Sequence, residues 1–424
     1  MKKFIIAFCA AVLALLSACA LAETSVRVMG YPIADGEKWF FEIIREKGGP
    51  IYDEYGNFVY DENGQIVYEE DKYKLSAKET ADENWNVKYE SGVLTLRDIS
   101  LSGVAGDQFD YNGPAIVANG DLVLCPEGYD NKLAAGGNYG MYVGGNLEVS
   151  GEGRLDITMI CEPDSDKDLG IIVVSKDLTV KSGELTAAYD RAAVVRAWNS
   201  AAGVDVGGNI MVTGGYLRGD APAGTNGVAG IRAQGDITIL GGELYGYSYT
   251  CYMDKNGDRI GGNTGAGVMS EGGSIILDGG ELIGADNIQY GSTDYTGVRR
   301  EGAKGAGIYA RKDIIIKSGA LWANAYESEE GYAITCLEGE ISILDESLDI
   351  GTQEYEEEKA SWNGKISPGK RTIHTAQGRI ARYVMIRDAK IPATGDGANL
   401  ALWAALTAIS AIGMAMLLRR KKKA

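Results

Sequence analysis

Histidine is almost absent from the 424 residues; the chain holds one, His374. With no second imidazole and no nucleophile pattern beside it, a Ser-His-Asp or Cys-His centre has nothing to be built from, and His374 reads as structural. Proline is scarce too, 8 residues against 59 glycines. Much glycine with little proline excludes collagen and Pro-rich linkers, and suits many tight turns between short strands. Basic charge is in deficit: 41 Lys and Arg face 59 Asp and Glu, a formal net charge of −18. That balance excludes nucleic acid as the expected partner. Phenylalanine (6) is outnumbered by tyrosine (24), so the aromatic rings are expected to keep one wet edge. Cysteine is sparse. Cys9 and Cys19 lie in the N-terminal apolar segment, and Cys125, Cys161, Cys251 and Cys336 are too widely spaced for a zinc pattern or a compact disulfide framework. Buried free thiols are the expectation, with one bridge left open in an oxidising exterior.

What is present is concentrated at the two ends and in a long repeat. The chain opens Met1-Lys2-Lys3, continues apolar from Phe4 to Leu16, and reaches Ala20-Leu21-Ala22 before Glu23. A basic start, a short apolar region and an A-x-A site make residues 1–22 a secretory signal peptide. Leu16-Ser17-Ala18-Cys19 also resembles a bacterial lipobox, so lipoprotein processing at Cys19 stays open. The other end reads Ile391-Pro392-Ala393-Thr394-Gly395, then an apolar run from Leu400 to Leu418, then Arg419-Arg420-Lys421-Lys422-Lys423. The run is long enough to cross a bilayer as a transmembrane helix, with its basic end held in the cytoplasm. Motif, span and basic tail in this order resemble the sorting signal of sortase-anchored Gram-positive surface proteins, the LPxTG type, with Ile391 in place of the first Leu. The resemblance implies that sortase cuts between Thr394 and Gly395 and joins Thr394 to peptidoglycan. Residues 391–395 are then the sortase motif and 396–424 a discarded sorting tail. A plain single-span anchor is the alternative. The expected product, residues 23–394, is extracellular, attached to the cell wall, and carries 34 basic and 58 acidic residues.

Between the ends one phrase recurs: a strand rich in small residues, a turn, an alternating apolar strand, a glycine turn, then Leu. Its clearest copy is Gly230-Ile231-Arg232-Ala233-Gln234-Gly235-Asp236-Ile237-Thr238-Ile239-Leu240-Gly241-Gly242-Glu243-Leu244. Other copies end at Leu155, Leu185, Leu217, Leu282 and Leu321, with a weaker one at Leu348. Three short runs of period-2 alternation per copy predict an all-β chain whose coils stack to bury a shared aliphatic column. The prediction is a right-handed parallel β-helix, a solenoid with terminal caps, over residues 84–350; a β-sandwich array is the alternative. Residues 23–83 read as the N-terminal cap, with a helix over Gly36 to Lys47 and a β-ribbon turning at Asn63-Gly64. Residues 351–390 read as a C-terminal cap and stalk carrying the strand Tyr383-Val384-Met385-Ile386. The Gly-Asp-Ile-x-Ile-x-Gly-Gly-x-Leu phrase resembles β-helical carbohydrate-binding domains of clostridial surface proteins. That likeness implies acidic polysaccharide such as pectin as ligand, sometimes with calcium.

The residue after each inward Leu should point outward, giving the column Asp156, Thr186, Arg218, Tyr245, Ile283, Trp322, Asp349. Tyr245 and Trp322 are the candidate glycan-stacking rings. Residues 246–264, 284–304 and 323–330 read as insertions on one edge and add Tyr247, Tyr249 and Tyr252 to the candidate glycan site. Asp254, Asn256 and Asp258 space their oxygens as a calcium loop begins, although Arg259 and Gly265 stand where an EF-hand needs Gly and Glu. A solvated turn and a calcium site are both compatible with that spacing. Arg232 with Asp236, and Arg311 with Asp313, read as solvated pairs rather than as lyase machinery. The expectation is a surface protein that binds extracellular polysaccharide without catalysis. An adhesin or stalk for protein partners, and a pectate-lyase-like or polygalacturonase-like enzyme, are the alternatives.

Overall fold

The computed structural model describes residues 26–388 apart from 48, 54–56, 62–64, 69–71, 82, 102–112, 160–168, 190–200, 222–227, 251–264, 289–304, 326–330 and 354–360. The expected signal peptide (1–22), sortase motif (Ile391, Pro392, Ala393, Thr394, Gly395) and Leu400–Leu418 span lie outside the described residues. Among the described residues there is no helix, so none is long and apolar enough to cross a membrane.

The chain is all-β, and its strands fall into three parallel stacks in which each strand pairs with the equivalent strand of the next repeat. The first stack runs Ile116–Ala118, Tyr139–Val143, Leu169–Val174, Ala201–Val206, Val228–Ala233, Gly265–Ser270, Gly305–Ala310 and Tyr332–Cys336. The second runs Leu122–Glu127, Leu147–Val149, Leu178–Val180, Ile210–Val212 and Ile237–Ile239, then the leading halves of Ile275–Ile288 and Ile314–Asn324, then Ile341–Ile343. The third runs Asn131–Ala135, Arg154–Met159, Glu184–Tyr189, Tyr216–Asp220 and Glu243–Thr250, then the trailing halves of those two long strands. Because two strands run through both, the second and third stacks merge into one 20-stranded sheet beside a 10-stranded one. Long parallel sheets in this order are consistent with a β-helix or solenoid-like fold.

Period-2 alternation explains why these residues form these strands. Leu155, Leu185, Leu217, Leu244, Leu282 and Leu321 stand in register and are fully buried. Each contributes about 1.5–3 kcal/mol of burial. The column opens on a buried polar residue, Asn131, in register with Leu155. Its amide is satisfied: Oδ1 accepts from the Ile99 N–H (3.2 Å), and Nδ2 donates to the carbonyls of Glu127 (2.9 Å) and Arg154 (2.9 Å). Ile386 closes the column's other end.

Two features set the cross-section. The third and first strands approach backbone to backbone: a Cβ on Gly230 would lie 2.1 Å from Tyr247 N, and one on Gly246 2.0 Å from Gly267 O. Only glycine fits such an approach. At the turn into the second strand, side chains climb from repeat to repeat. Asp121 Oδ1 accepts from the Asn146 N–H (2.7 Å), Asn146 Oδ1 from Asp177 (3.2 Å), Asp177 Oδ1 from Asn209 (2.7 Å), Asn209 Oδ1 from Asp236 (2.8 Å) and Asp236 Oδ1 from Ser274 (2.7 Å). Alternating acid with amide or hydroxyl keeps like charges off adjacent rungs.

Three expectations do not hold. Gly36 to Lys47 is not a helix; Lys38–Glu46 is a strand, antiparallel to Lys72–Glu79. Trp39, Phe41 and Ile43 alternate inward onto the core with period 2, and aromatic and β-branched residues favour a pleated surface. Asp349 does not continue the outward column. The strand Tyr383–Asp388 inserts antiparallel between Leu321–Asn324 and Leu348–Gln353, so Trp322 faces Met385 and Asp349 faces Arg387. The Arg232 and Arg311 pairs are also reassigned. Arg232, 8% exposed, grips Asp205 bidentately (Nε–Oδ1 2.9 Å, Nη2–Oδ2 2.7 Å), and Arg311 meets Glu338 (2.8 Å). In each case the partner comes from an adjacent rung, before it for Arg232 and after it for Arg311, rather than from the neighbouring residues in sequence. The expected C-terminal strand is present as Tyr383–Asp388, and the N-terminal ribbon pairs antiparallel through Tyr52↔Phe58 and Tyr60↔Ile66, with Asn63-Gly64 outside the described residues.

Candidate functional site

The outward face of the third stack carries the predicted rings. Leu244 is fully buried, and the residues on either side of it, Glu243 and Tyr245, point away from the core, as strand alternation requires. Register then sets the column: Asp156↔Thr186↔Arg218↔Tyr245↔Ile283↔Trp322. Tyr245 and Trp322 are thus two rungs apart, about 10 Å at strand spacing, with Ile283 between them. All three are half-buried. Tyr247 stands two residues on along the same face, in register with Asp220 and Ala285.

Sequence spacing placed Tyr247 and Tyr249 in an insertion, but the strand continues through Thr250 and its neighbour through Ile288. Tyr249 pairs in register with Asn287. The same extension carries Asp286, within the segment 284–304 read from sequence as an insertion, into the interior. It is 1% exposed and accepts a hydrogen bond from Ser248 Oγ at 2.5 Å. Tyr252, Asp254, Asn256 and Asp258 lie outside the described residues. Among the described residues, no group of three or more His, Cys, Asp and Glu side chains is placed to hold a metal ion. Segments 160–168, 190–200, 222–227, 251–264, 289–304 and 326–330 each join a third strand to the next first strand.

The structure adds residues that the column alone missed. Tyr216 packs against Tyr245, ring centroids 5.2 Å apart and planes 38° apart. Tyr383, from the C-terminal strand, meets Trp322 edge-on at 6.4 Å. Arg218 lies 5.4 Å over the Tyr247 ring while gripping Asp220 with Nη2–Oδ2 2.7 Å and Nε–Oδ1 3.0 Å. This pairing raises the guanidinium pKa and fixes a flat cation against an aromatic face. Two carboxylates flank the rings: Glu243 and Glu281 are register partners on adjacent rungs. Burial, and then the Glu243 charge, push the Glu281 carboxyl up, while the neighbouring Trp322 indole draws it down. Burial first, and then Glu281 and Glu243, push the Tyr245 phenol up to about 12. The repeat held a signal for these residues: the position before each inward Leu reads Arg154, Glu184, Tyr216, Glu243, Glu281.

The face therefore combines apolar flat surface, a fixed Arg–Asp pair and acidic flanks. It offers ring stacking and hydrogen bonding. Elsewhere, a shallow cleft of about 620 Å³ is lined by Asp121, Asn146, Glu148 and Asp177, but its Asp121, Asn146 and Asp177 oxygens are already engaged in the turn ladder. Cys125 and Cys336 are free thiols, both pushed above the ordinary range chiefly by burial, which keeps them protonated and unreactive. His374 sits in the two-stranded antiparallel sheet of Lys365–Ile366 with Ile373–His374, its Nε2 3.2 Å from Thr372 Oγ1.

Comparison with family models, with curated proteins and with solved structures finds no match.

Proposed function

We propose that this protein is secreted, fixed to the wall of a Gram-positive cell through Thr394, and uses a closed right-handed β-helix to bind extracellular polysaccharide without cleaving it. The anchor reading rests on IPATG, the apolar run and the basic tail occurring in that order. The binding reading rests on one observation: Tyr245, Ile283 and Trp322 occupy successive rungs of one outward column, with Tyr216, Tyr247 and Tyr383 around them. A row of flat apolar groups at a fixed rise suits the faces of successive sugar rings, while Asp220, Glu243 and Arg218 offer partners to hydroxyls. The acidic flanks favour a neutral glycan, or an acidic one such as pectate bridged by calcium.

A second reading, glycan cleavage, draws on Glu243 and Glu281, two carboxyls on adjacent rungs with one held up in pKa; a glycosidase combines such a raised acid with a second carboxylate across the scissile bond.

The test is retention of the ectodomain on insoluble and gelled polysaccharides, pectate included, with calcium and then with EDTA, while the supernatant is assayed for released sugar. Tyr245→Ala and Trp322→Ala should each reduce retention at least about five-fold, the equivalent of about 1 kcal/mol of ring contact. Unchanged retention in both variants would sink the platform. Release of oligosaccharide, abolished by Glu281→Gln, would move the assignment to a hydrolase or lyase. No retention on any glycan would leave a protein-binding adhesin or stalk.

A further inference from the structure

The N-terminal ribbon is built on an eight-residue repeat. Tyr52-Asp53-Glu54-Tyr55-Gly56-Asn57-Phe58-Val59 is followed by Tyr60-Asp61-Glu62-Asn63-Gly64-Gln65-Ile66-Val67 and then Tyr68. The backbone closes this repeat on itself. The Ile51 N–H donates to Val67 O (2.9 Å), Val67 to Val59 O (2.8 Å) and Val59 to Ile51 O (2.9 Å), a ring of three equivalent bonds. Both full units use the same turn lock: Asp53 Oδ1 accepts from the Asn57 N–H and Asp61 Oδ1 from the Gln65 N–H, each at 2.8 Å. The three units thus stand around a pseudo-threefold axis, with Ile51, Val59 and Val67 half-buried near its centre.

The tyrosines that follow these three residues are equivalent. Each stands across an antiparallel bridge from an apolar residue: Tyr52 from Phe58, Tyr60 from Ile66, Tyr68 from Pro50. The Tyr52 and Phe58 rings pack at 5.0 Å. The three tyrosines are 55%, 57% and 53% exposed. Packing does not require this exposure, and a repeated patch of exposed rings marks an interaction surface. Charge says what it fits. From Tyr52 to Tyr68 the sequence holds four acids and no Lys or Arg. One ring already carries a cation: Lys47 Nζ lies 6.0 Å from the Tyr68 centroid. An ammonium over an aromatic face, in a ribbon that also carries the Asp53 and Asp61 carboxylates, is a favourable contact.

We propose that the ribbon is a three-station receptor for a polycationic chain, a Lys- and Arg-rich segment of a partner protein. Its side chains sit on Tyr52 and Tyr60 and replace Lys47 on Tyr68. Threefold repetition makes binding steep in the number of linked cations, because each station captured raises the local concentration of the next.

The experiment titrates the purified full chain with hexalysine, with N-acetyl-lysinamide and with a neutral hexasaccharide, following tyrosine fluorescence at low and high salt. Hexalysine should bind at least a hundred-fold tighter than the single lysine and weaken sharply with salt. Tyr60→Phe should retain binding, since the ring face survives. Tyr60→Leu, which keeps the apolar bulk, should weaken it five-fold or more, and Tyr52→Leu should do the same. Equal binding by the Leu and Phe variants would overturn the proposal, leaving the carboxylates alone responsible. So would absence of hexalysine binding, or preferential binding of the neutral saccharide at the tyrosines. Thermal unfolding of each variant separates loss of a station from loss of the ribbon, whose ring of backbone bonds needs no tyrosine side chain.

Discussion

Gly246→Ala tests the pinch that places the aromatic face. A methyl at this position would meet Gly267 O at 2.0 Å, Gly267 C at 2.7 Å and Val268 Cγ2 at 2.7 Å. The first two are backbone atoms of a strand paired on both sides, in a region where Ala266 and Val268 are fully buried. Contacts of about 3.5 Å are needed, so the strands must part by more than about 1 Å, and rungs above and below must follow. Overpacking of this kind costs roughly 1–3 kcal/mol where side chains can yield; here backbone must, and about 3 kcal/mol is expected. At about 2.1 cal/mol/K of unfolding entropy per residue, a domain of this size should lose roughly 4–5 °C in Tm. The control is Gly369→Ala, where an added Cβ meets nothing within 4 Å. Loss of chain entropy in the unfolded state should make that change neutral or slightly stabilising. Scanning calorimetry of both variants decides the matter. Because Gly246 lies between Tyr245 and Tyr247, the variant should also lose glycan retention more steeply than its stability alone predicts. Equal Tm values for Gly246→Ala and Gly369→Ala would refute the close approach and the cross-section drawn from it.

Two further outcomes follow from buried polar groups. Arg232→Met leaves Asp205, 27% exposed at its side chain, without its bidentate partner; urea unfolding should show a loss of about 2 kcal/mol, with Arg232→Met/Asp205→Leu recovering most of it. The phenols of Tyr245 and Tyr383 are pushed up to about 12, chiefly by burial, whereas in the unfolded chain they titrate near 10. The stability they contribute is therefore fully present below pH 10 and is lost as pH rises toward 12. Ultraviolet titration should show late-ionising tyrosines, one of which disappears in Tyr245→Phe; full ionisation by pH 10.5 in the folded protein would contradict this.

Much of the architecture was written in the sequence, because strand alternation is a local property. The recurrent Leu predicted the buried column, and counting one residue onward placed Arg218, Tyr245, Ile283 and Trp322 on one outward line, which the register reproduces. Local reading failed where a choice depended on what a segment packs against. Trp39 to Ile44 carries enough apolar residues for either a helix or a strand, and the decision came from Lys72–Glu79 pairing along it. Tyr247, Tyr249 and Asp286 look like loop residues because the extra length between successive Leu reads as insertion starting right after the strand, yet the strands run on through Thr250 and Ile288.

By itself, then, the sequence determined the all-β class, the repeat, the inward column and the outward line, since all follow from periods of two residues along one coil. Only the tertiary structure decided which rung each charged side chain grips, which strand pairs with the last copies of the repeat and how the rings of Tyr216 and Tyr383 close on Tyr245 and Trp322. Those contacts join residues about 30 to 60 positions apart in the chain and one strand spacing apart in space. Nothing local in the sequence specifies such a distance; stacking does.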